Sequence, residues 1–217
     1  MGTSAIRDIV RSYSSPSIKA YAGIRFLILQ AFLEEIDQYL PLTGRVLDLG
    51  CGFGLFSLYF ARRQPNRQLV GVDMHRGRID QARRSAGLLG LHNVEYRTGN
   101  VLTLKPEGMF DAIYMLDVLH HLPAASVPRL LAQLKDKLRP GGVLLLKEVA
   151  DRPWPKMWFT LVLDRAMVGF SDPIKYWSPG ELSSLVGSLG FDVKHHRMRD
   201  VLPYPHVLYV CRKDMDP

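Results

Sequence analysis

Only two cysteines occur in 217 residues, Cys51 and Cys211, far apart and in no paired spacing. That excludes a disulfide-stapled scaffold and the paired spacing of structural zinc sites, so no metal is expected. Long apolar runs are also missing. The stretches "FLILQAFL" and "WFTLVLDRAMVGF" fall short of the roughly 20 residues that cross a bilayer, and the second carries Asp164 and Arg165. No basic-then-apolar leader opens the chain, so the expected compartment is the reducing cytoplasm. Low-complexity tracts and internal repeats are absent, which excludes fibrous and solenoid architectures. Acidic residues are outnumbered, giving a net charge of +7, with basic groups in "ARRQPNR", at Arg76, Arg78, Arg83 and Arg84, and in "KHHRMR". Such a charge suits nucleic acid or an anionic lipid surface, but aromatic and basic residues do not interleave as in single-strand binders. The basic groups read as solvated faces and nucleic acid is disfavoured. A membrane surface stays open as a partner, and so does a second subunit.

What is present is a regular alternation from residue 45 onward. "RVLDLG", "QLVGVD", "VEYRTGN", "FDAIYML" and "GGVLLLKEV" read as strands, and the first, second and fourth are each followed by a helical stretch. Strands apolar on both faces, alternating with helices, imply a doubly wound α/β sheet, mostly parallel, with helices on both faces. After it come the helix "ELSSLVGSLG" and the strands "FDVKHHRM" and "PHVLYVCRK". The link between those two strands is too short for a crossover helix, so the seventh and last strand is expected to run antiparallel. The chain reads as one domain over 1–217. Its parts are a helical cap at 1–43 built on "IKAYAGIRFLILQAFLEEIDQY", a cofactor half at 44–150, a helical insertion at 151–177, and a C-terminal helix with a strand pair at 178–217.

The chemistry concentrates in "VLDLGCGFGLFS", residues 46–57, where three glycines in five residues follow a strand and open a helix. Such a turn lies at the carboxyl edge of a parallel sheet, where ligands bind, and its glycines let backbone approach a ligand. A dinucleotide fingerprint needs Gly or Ala at position 55, which is Leu55, and a Walker loop needs a Gly-Lys-Ser/Thr ending, which is absent.

"VLDLGCGFG" resembles motif I of the class I S-adenosylmethionine-dependent methyltransferases of small-molecule type. Four further landmarks of that family follow in order: "VGVDMHRGRIDQAR", "YRTGNVL", "FDAIYMLDVLHHL" and "LRPGGVLLLKEV". The resemblance implies S-adenosylmethionine as cofactor. Asp48 stands for the acid that serves the methionine end, and Gly50, Cys51, Gly52 and Gly54 form the turn. Asp73 stands for the acceptor of the ribose hydroxyls, with Met74 beside it, and Asn100 and Val101 for the adenine segment. Leu116 and Asp117 stand for the contacts to the methionine ammonium. Asn100 departs from the family's usual aspartate. Two of these residues have structural alternatives: a turn cap for Asp48 and the N-cap of the following helix for Asp73.

Methyl transfer needs alignment of the acceptor and, for a hydroxyl, removal of its proton. His120 and His121 follow the fourth strand, where the acceptor must approach, and are the candidate catalytic residues, the alternative being a structural pair. Tyr21, Lys147, Glu148, Trp158, Tyr204 and His206 are the candidate substrate-binding residues. Lys147 with Glu148 reads equally as a surface ion pair. The apolar helix in "WPKMWFTLVLDRAMVGF" points to a hydrophobic or aromatic small-molecule acceptor, methylated at oxygen, or else to packing. The competing readings are an RNA methyltransferase, a membrane-associated methyltransferase and a non-catalytic scaffold.

Overall fold

The computed structural model describes residues 2–149, 175–198 and 206–215. The apolar stretch of the insertion, with Trp158, lies outside the described residues, as does Tyr204. The chain groups into two compact units, Met1–Tyr114 and Met115–Pro217.

In the first unit α1 (Gly2–Ser12) precedes α2 (Pro16–Asp37). Ser15 caps α2 by accepting from the Ser17 N–H, and Pro16 starts it where no N–H is needed. The sequence pattern locates α2 but gives no sign of α1. The α/β alternation then runs β1 (Gly44–Leu49), α3 (Leu55–Arg63), β2 (Arg67–Asp73), α4 (Arg76–Leu88), β3 (Val94–Thr98) and β4 (Phe110–Leu116). β1 lies parallel to β2 on one side and to β4 on the other, with Val46 level with Leu69 and with Ala112. Its residues 46–49 are buried, as expected of a strand covered on both faces.

One arginine of the basic group "ARRQPNR" is not on a solvated face. Arg67 is fully buried, donating to Asp37 at 2.8 Å, to the Pro41 carbonyl at 2.8 Å and to the Phe60 carbonyl at 3.3 Å. A buried guanidinium persists only when paired and hydrogen-bonded in this way.

The second unit holds a 3₁₀ turn (Leu119–His121), a further one (Ala124–Ser126), α5 (Val127–Lys137), β5 (Leu138–Val149), α6 (Pro179–Ser188), β6 (Phe191–Arg197) and β7 (His206–Lys213). β7 runs antiparallel to both β5 and β6, as the short link requires. The seven strands form one sheet in the order β3-β2-β1-β4-β5-β7-β6, a mixed sheet of the kind expected. Among the described residues no helix is long and apolar enough to cross a membrane.

Candidate active site

Leaving β1, the chain takes left-handed backbone at Gly50 (φ 80°), Gly52 (φ 55°) and Gly54 (φ 76°). Only glycine enters that region without steric cost. The turn is sewn to β2: the N–H groups of Gly50 and Cys51 both donate to the Val72 carbonyl, at 2.8 and 3.0 Å, and the Gly52 N–H donates to Asp73 Oδ2 at 3.1 Å. The glycines differ in purpose. A Cβ on Gly54 would come 2.6 Å from Tyr96 Oη and 2.9 Å from Ala82 Cβ, so that glycine serves packing. A Cβ on Gly52 would enter open space. Gly54→Ala is therefore expected to destabilise the fold by about 1–3 kcal/mol through strain and overpacking, measured by denaturant unfolding.

The N-terminal helices brace this turn. Tyr13, buried, donates its hydroxyl to the Phe53 carbonyl at 2.9 Å. Tyr21 meets the Phe53 ring edge-on at 5.8 Å, and the Arg78 guanidinium lies over that ring at 5.7 Å. Tyr21, expected at the substrate, is thus in contact with the turn itself.

Asp73 is buried at the end of β2, and its other oxygen accepts from the His75 N–H at 2.9 Å. His75, not Asp73, occupies the N-cap position of α4. Each Asp73 oxygen keeps lone-pair capacity for ribose hydroxyls. Met74 beside it is 62% exposed, an apolar surface at the strand end. Asn100 is exposed and its side-chain oxygen accepts from the Leu102 N–H at 2.9 Å, which shapes the loop, with Val101 half-buried next to it.

Beneath the turn, Asp48 is buried, and its pKa is pushed up to about 7 by burial and by the charge of Asp73, against the opposing hydroxyls of Tyr114 and Ser57. Its Oδ2 has no hydrogen-bond partner among the described residues, so it does not act as a turn cap through that atom. Burial, with Asp48 and Asp73 nearby, raises the Cys51 thiol well above its ordinary value, which leaves Cys51 a spacer and not a nucleophile. S-adenosylmethionine carries a sulfonium, an ammonium and a ribose. Two carboxylates, an orphaned buried acceptor and open space at Gly52 fit those groups.

In the second unit Leu116 is buried at the end of β4, and Asp117 follows with φ 59°, a left-handed non-glycine residue. Its N–H donates to the Lys147 carbonyl at 2.8 Å. The Lys147 ammonium, buried, donates to both Asp117 oxygens at 2.8 and 2.6 Å. The carboxylate expected to meet the cofactor's ammonium is thus engaged by Lys147. His206 Nε2 lies 3.9 Å from Asp117 Oδ1.

Glu148 is 1% exposed, which overturns the surface ion pair with Lys147; each residue has its own partner, buried His120 for Glu148 and half-buried Asp117 for Lys147. One Glu148 oxygen accepts from the N–H groups of Val118 at 3.1 Å and Leu119 at 2.8 Å, and the other lies 2.6 Å from His120 Nδ1. In this contact Nδ1 is the ring nitrogen that faces the carboxylate, and Nε2, on the opposite side of the ring, is also buried. His121 packs its ring 4.0 Å from that of His120, and Tyr176 stacks on His120 at 5.7 Å. Sequence reasoning finds the histidines but misses Tyr176, Tyr114 and Ser57 as neighbours. The alternation marks Tyr114 as a strand residue and gives no sign of a buried hydroxyl beside an acid.

The sequence profile described as a methyltransferase domain matches residues 21–196. The chain belongs to the class I S-adenosylmethionine-dependent methyltransferases. A ubiquinone biosynthesis O-methyltransferase of Marinobacter nauticus is 31% identical over 194 residues, 85% of this chain and 79% of that protein. An O-methyltransferase family protein from Burkholderia thailandensis has the same fold, with a TM-score of 0.75 at 19% identity, over 93% of this chain and 60% of the other. Human N-acetylserotonin methyltransferase, solved in complex with S-adenosylmethionine, aligns with a TM-score of 0.62 at 16% identity over 86% of this chain and 53% of the other. The chain thus spans about 60% or less of those two solved chains.

Proposed function

We propose that this methyltransferase transfers the methyl group of S-adenosylmethionine to a hydroxyl of a small, hydrophobic or aromatic molecule. The observation that carries this reading is the buried Glu148–His120 pair, in which the carboxylate lies 2.6 Å from Nδ1 and so holds the ring by one nitrogen, with Nε2 on its far side. The cofactor, when bound, supplies a methyl group already activated by positive sulfur. The protein's part is to hold the acceptor in line and take its proton. His120 Nε2 takes the hydroxyl proton, Glu148 fixes the ring and stabilises the imidazolium that forms, and Tyr176 gives an aromatic wall beside it. Lys147, Asp117 and His206 form a second polar group that orients the acceptor.

Two features favour a small acceptor over RNA. Arg67 is consumed inside the fold, and Arg83 donates to the Tyr96 carbonyl at 2.8 and 3.1 Å, so part of the basic surplus is structural. The named relative from Marinobacter nauticus also joins O-methylation to ubiquinone biosynthesis. The test is incubation with methyl-labelled S-adenosylmethionine and a panel of phenols, enols and carboxylic acids, with bulk RNA as a parallel acceptor. Label on a phenolic oxygen supports the reading, and label on RNA alone overturns it. In calorimetry Asp73→Ala is expected to weaken cofactor binding by about 2 kcal/mol, since charge-assisted bonds to the ribose are lost. Unchanged affinity would remove Asp73 from the site.

A further inference from the structure

Five groups of the described residues act on Asp48, and none of the five is a cation. Asp73 faces it from β2, Cys51 from the turn, Ser57 from α3, Tyr96 from β3 and Tyr114 from β4. An ionised carboxylate buried without a cation is costly, and only the hydroxyl dipoles around it favour the charge.

The hydroxyls are not equivalent. Ser57 Oγ is committed elsewhere, lying 3.3 Å from the Gly54 carbonyl and 3.0 Å from Tyr96 Oη, which itself reaches the Gly54 carbonyl at 3.4 Å. Those bonds support the turn from below. Tyr114 is the strand-register partner of Asp48, and its hydroxyl is buried with no hydrogen-bond partner among the described residues. Burial and the neighbouring Asp48 raise the Tyr114 phenol well above its ordinary value, so it stays a donor throughout the physiological range. Asp48 Oδ2 is the matching orphaned acceptor.

We propose that Tyr114 is a positioning residue for the charged end of the cofactor: its hydroxyl holds Asp48 in the ionised form that receives the methionine ammonium. This rests on the cofactor assignment and deepens it. Binding then couples to the charge of Asp48, so affinity for S-adenosylmethionine falls as pH drops below about 7. Ser57 contributes in the same direction, through a hydroxyl shared with the turn.

The test is calorimetric titration of wild type and Tyr114→Phe with S-adenosylmethionine from about pH 5.5 to 8.5, the range that brackets this group; the ligand's own α-amino group titrates on the alkaline side and is common to both proteins. The wild-type affinity should rise through about pH 7 and then turn down where the ligand's amino group loses its proton. In Tyr114→Phe the rising limb should move up by about one pH unit, making binding about fivefold weaker at pH 7 and nearly equal at pH 8.5. The probe 5′-methylthioadenosine lacks the amino-acid end, and its affinity should stay flat with pH in both proteins. Ser57→Ala gives a second variant with the same direction of shift, read if Tyr114→Phe does not fold. Uniform weakening at every pH, or an unshifted limb, overturns the role of Tyr114. Failure of the wild type to bind S-adenosylmethionine at any pH overturns the cofactor assignment, and the proposal with it.

Discussion

His120→Ala is expected to lower turnover about 10²- to 10⁴-fold while leaving affinity for S-adenosylmethionine unchanged, the effect of losing a general base. Glu148→Gln should fall on the same scale for a different reason. A glutamine can still accept from the Val118 and Leu119 N–H groups, so the 3₁₀ turn survives, but its amide N–H₂ turned toward His120 would donate to Nδ1. The proton then moves to Nε2, and the imidazole faces the acceptor as a donor and not as a base. Steady-state kinetics should show kcat reduced with KM nearly constant, because the interaction is one made in the transition state. His121→Ala should stay within a few-fold, since Glu148 engages His120. Full turnover in both His120→Ala and Glu148→Gln across the pH range would show that proximity, or another base such as His206, carries the reaction.

The sheet and the glycine turn were legible in the sequence because both rest on local pattern. Strands two-sidedly apolar and glycines just after a strand are properties of neighbours along the chain. The polar networks were not legible, because they join residues far apart. Glu148 and His120 are separated by 28 positions, and Asp117 and Lys147 by 30. Their pairing depends on sheet register, which places alternate side chains of β5 toward different partners: Lys147 toward Asp117 and Glu148 toward the histidine turn. From the sequence alone the two adjacent opposite charges read just as well as a pair with each other. Arg67 was hidden in the same way. "ARRQPNR" looks like one basic surface, and only the tertiary position of Asp37 and Pro41 takes one of its arginines inside. The helix α1 lacked a pattern strong enough to mark it.

Asp48→Asn is expected to make the protein more stable at pH 8 while weakening its hold on S-adenosylmethionine. The sign follows from the raised pKa of Asp48, about 7 in the folded state against roughly 3.9 unfolded. Between those values the folded state binds the extra proton, so stability falls as pH rises from about 4 to about 7, and the full cost stands at pH 8. Three pH units correspond to something on the order of 4 kcal/mol at most. Asparagine keeps the shape without the charge, and its N–H₂ can donate to the orphaned Tyr114 oxygen. For a chain of this length, recovering half of the cost would raise Tm by about 4 to 8 °C at pH 8. The gain should shrink steadily below pH 7 and vanish below about pH 4, where Asp48 becomes neutral in both states. Calorimetric scans at pH 4, 6 and 8 read this directly. Cofactor affinity should meanwhile fall about tenfold or more at pH 8, because the ammonium loses its buried counter-charge. A charge that costs stability and returns it only in binding is one kept for the ligand. Equal destabilisation at every pH would make Asp48 a structural residue of the turn, and unchanged cofactor affinity would remove it from the site.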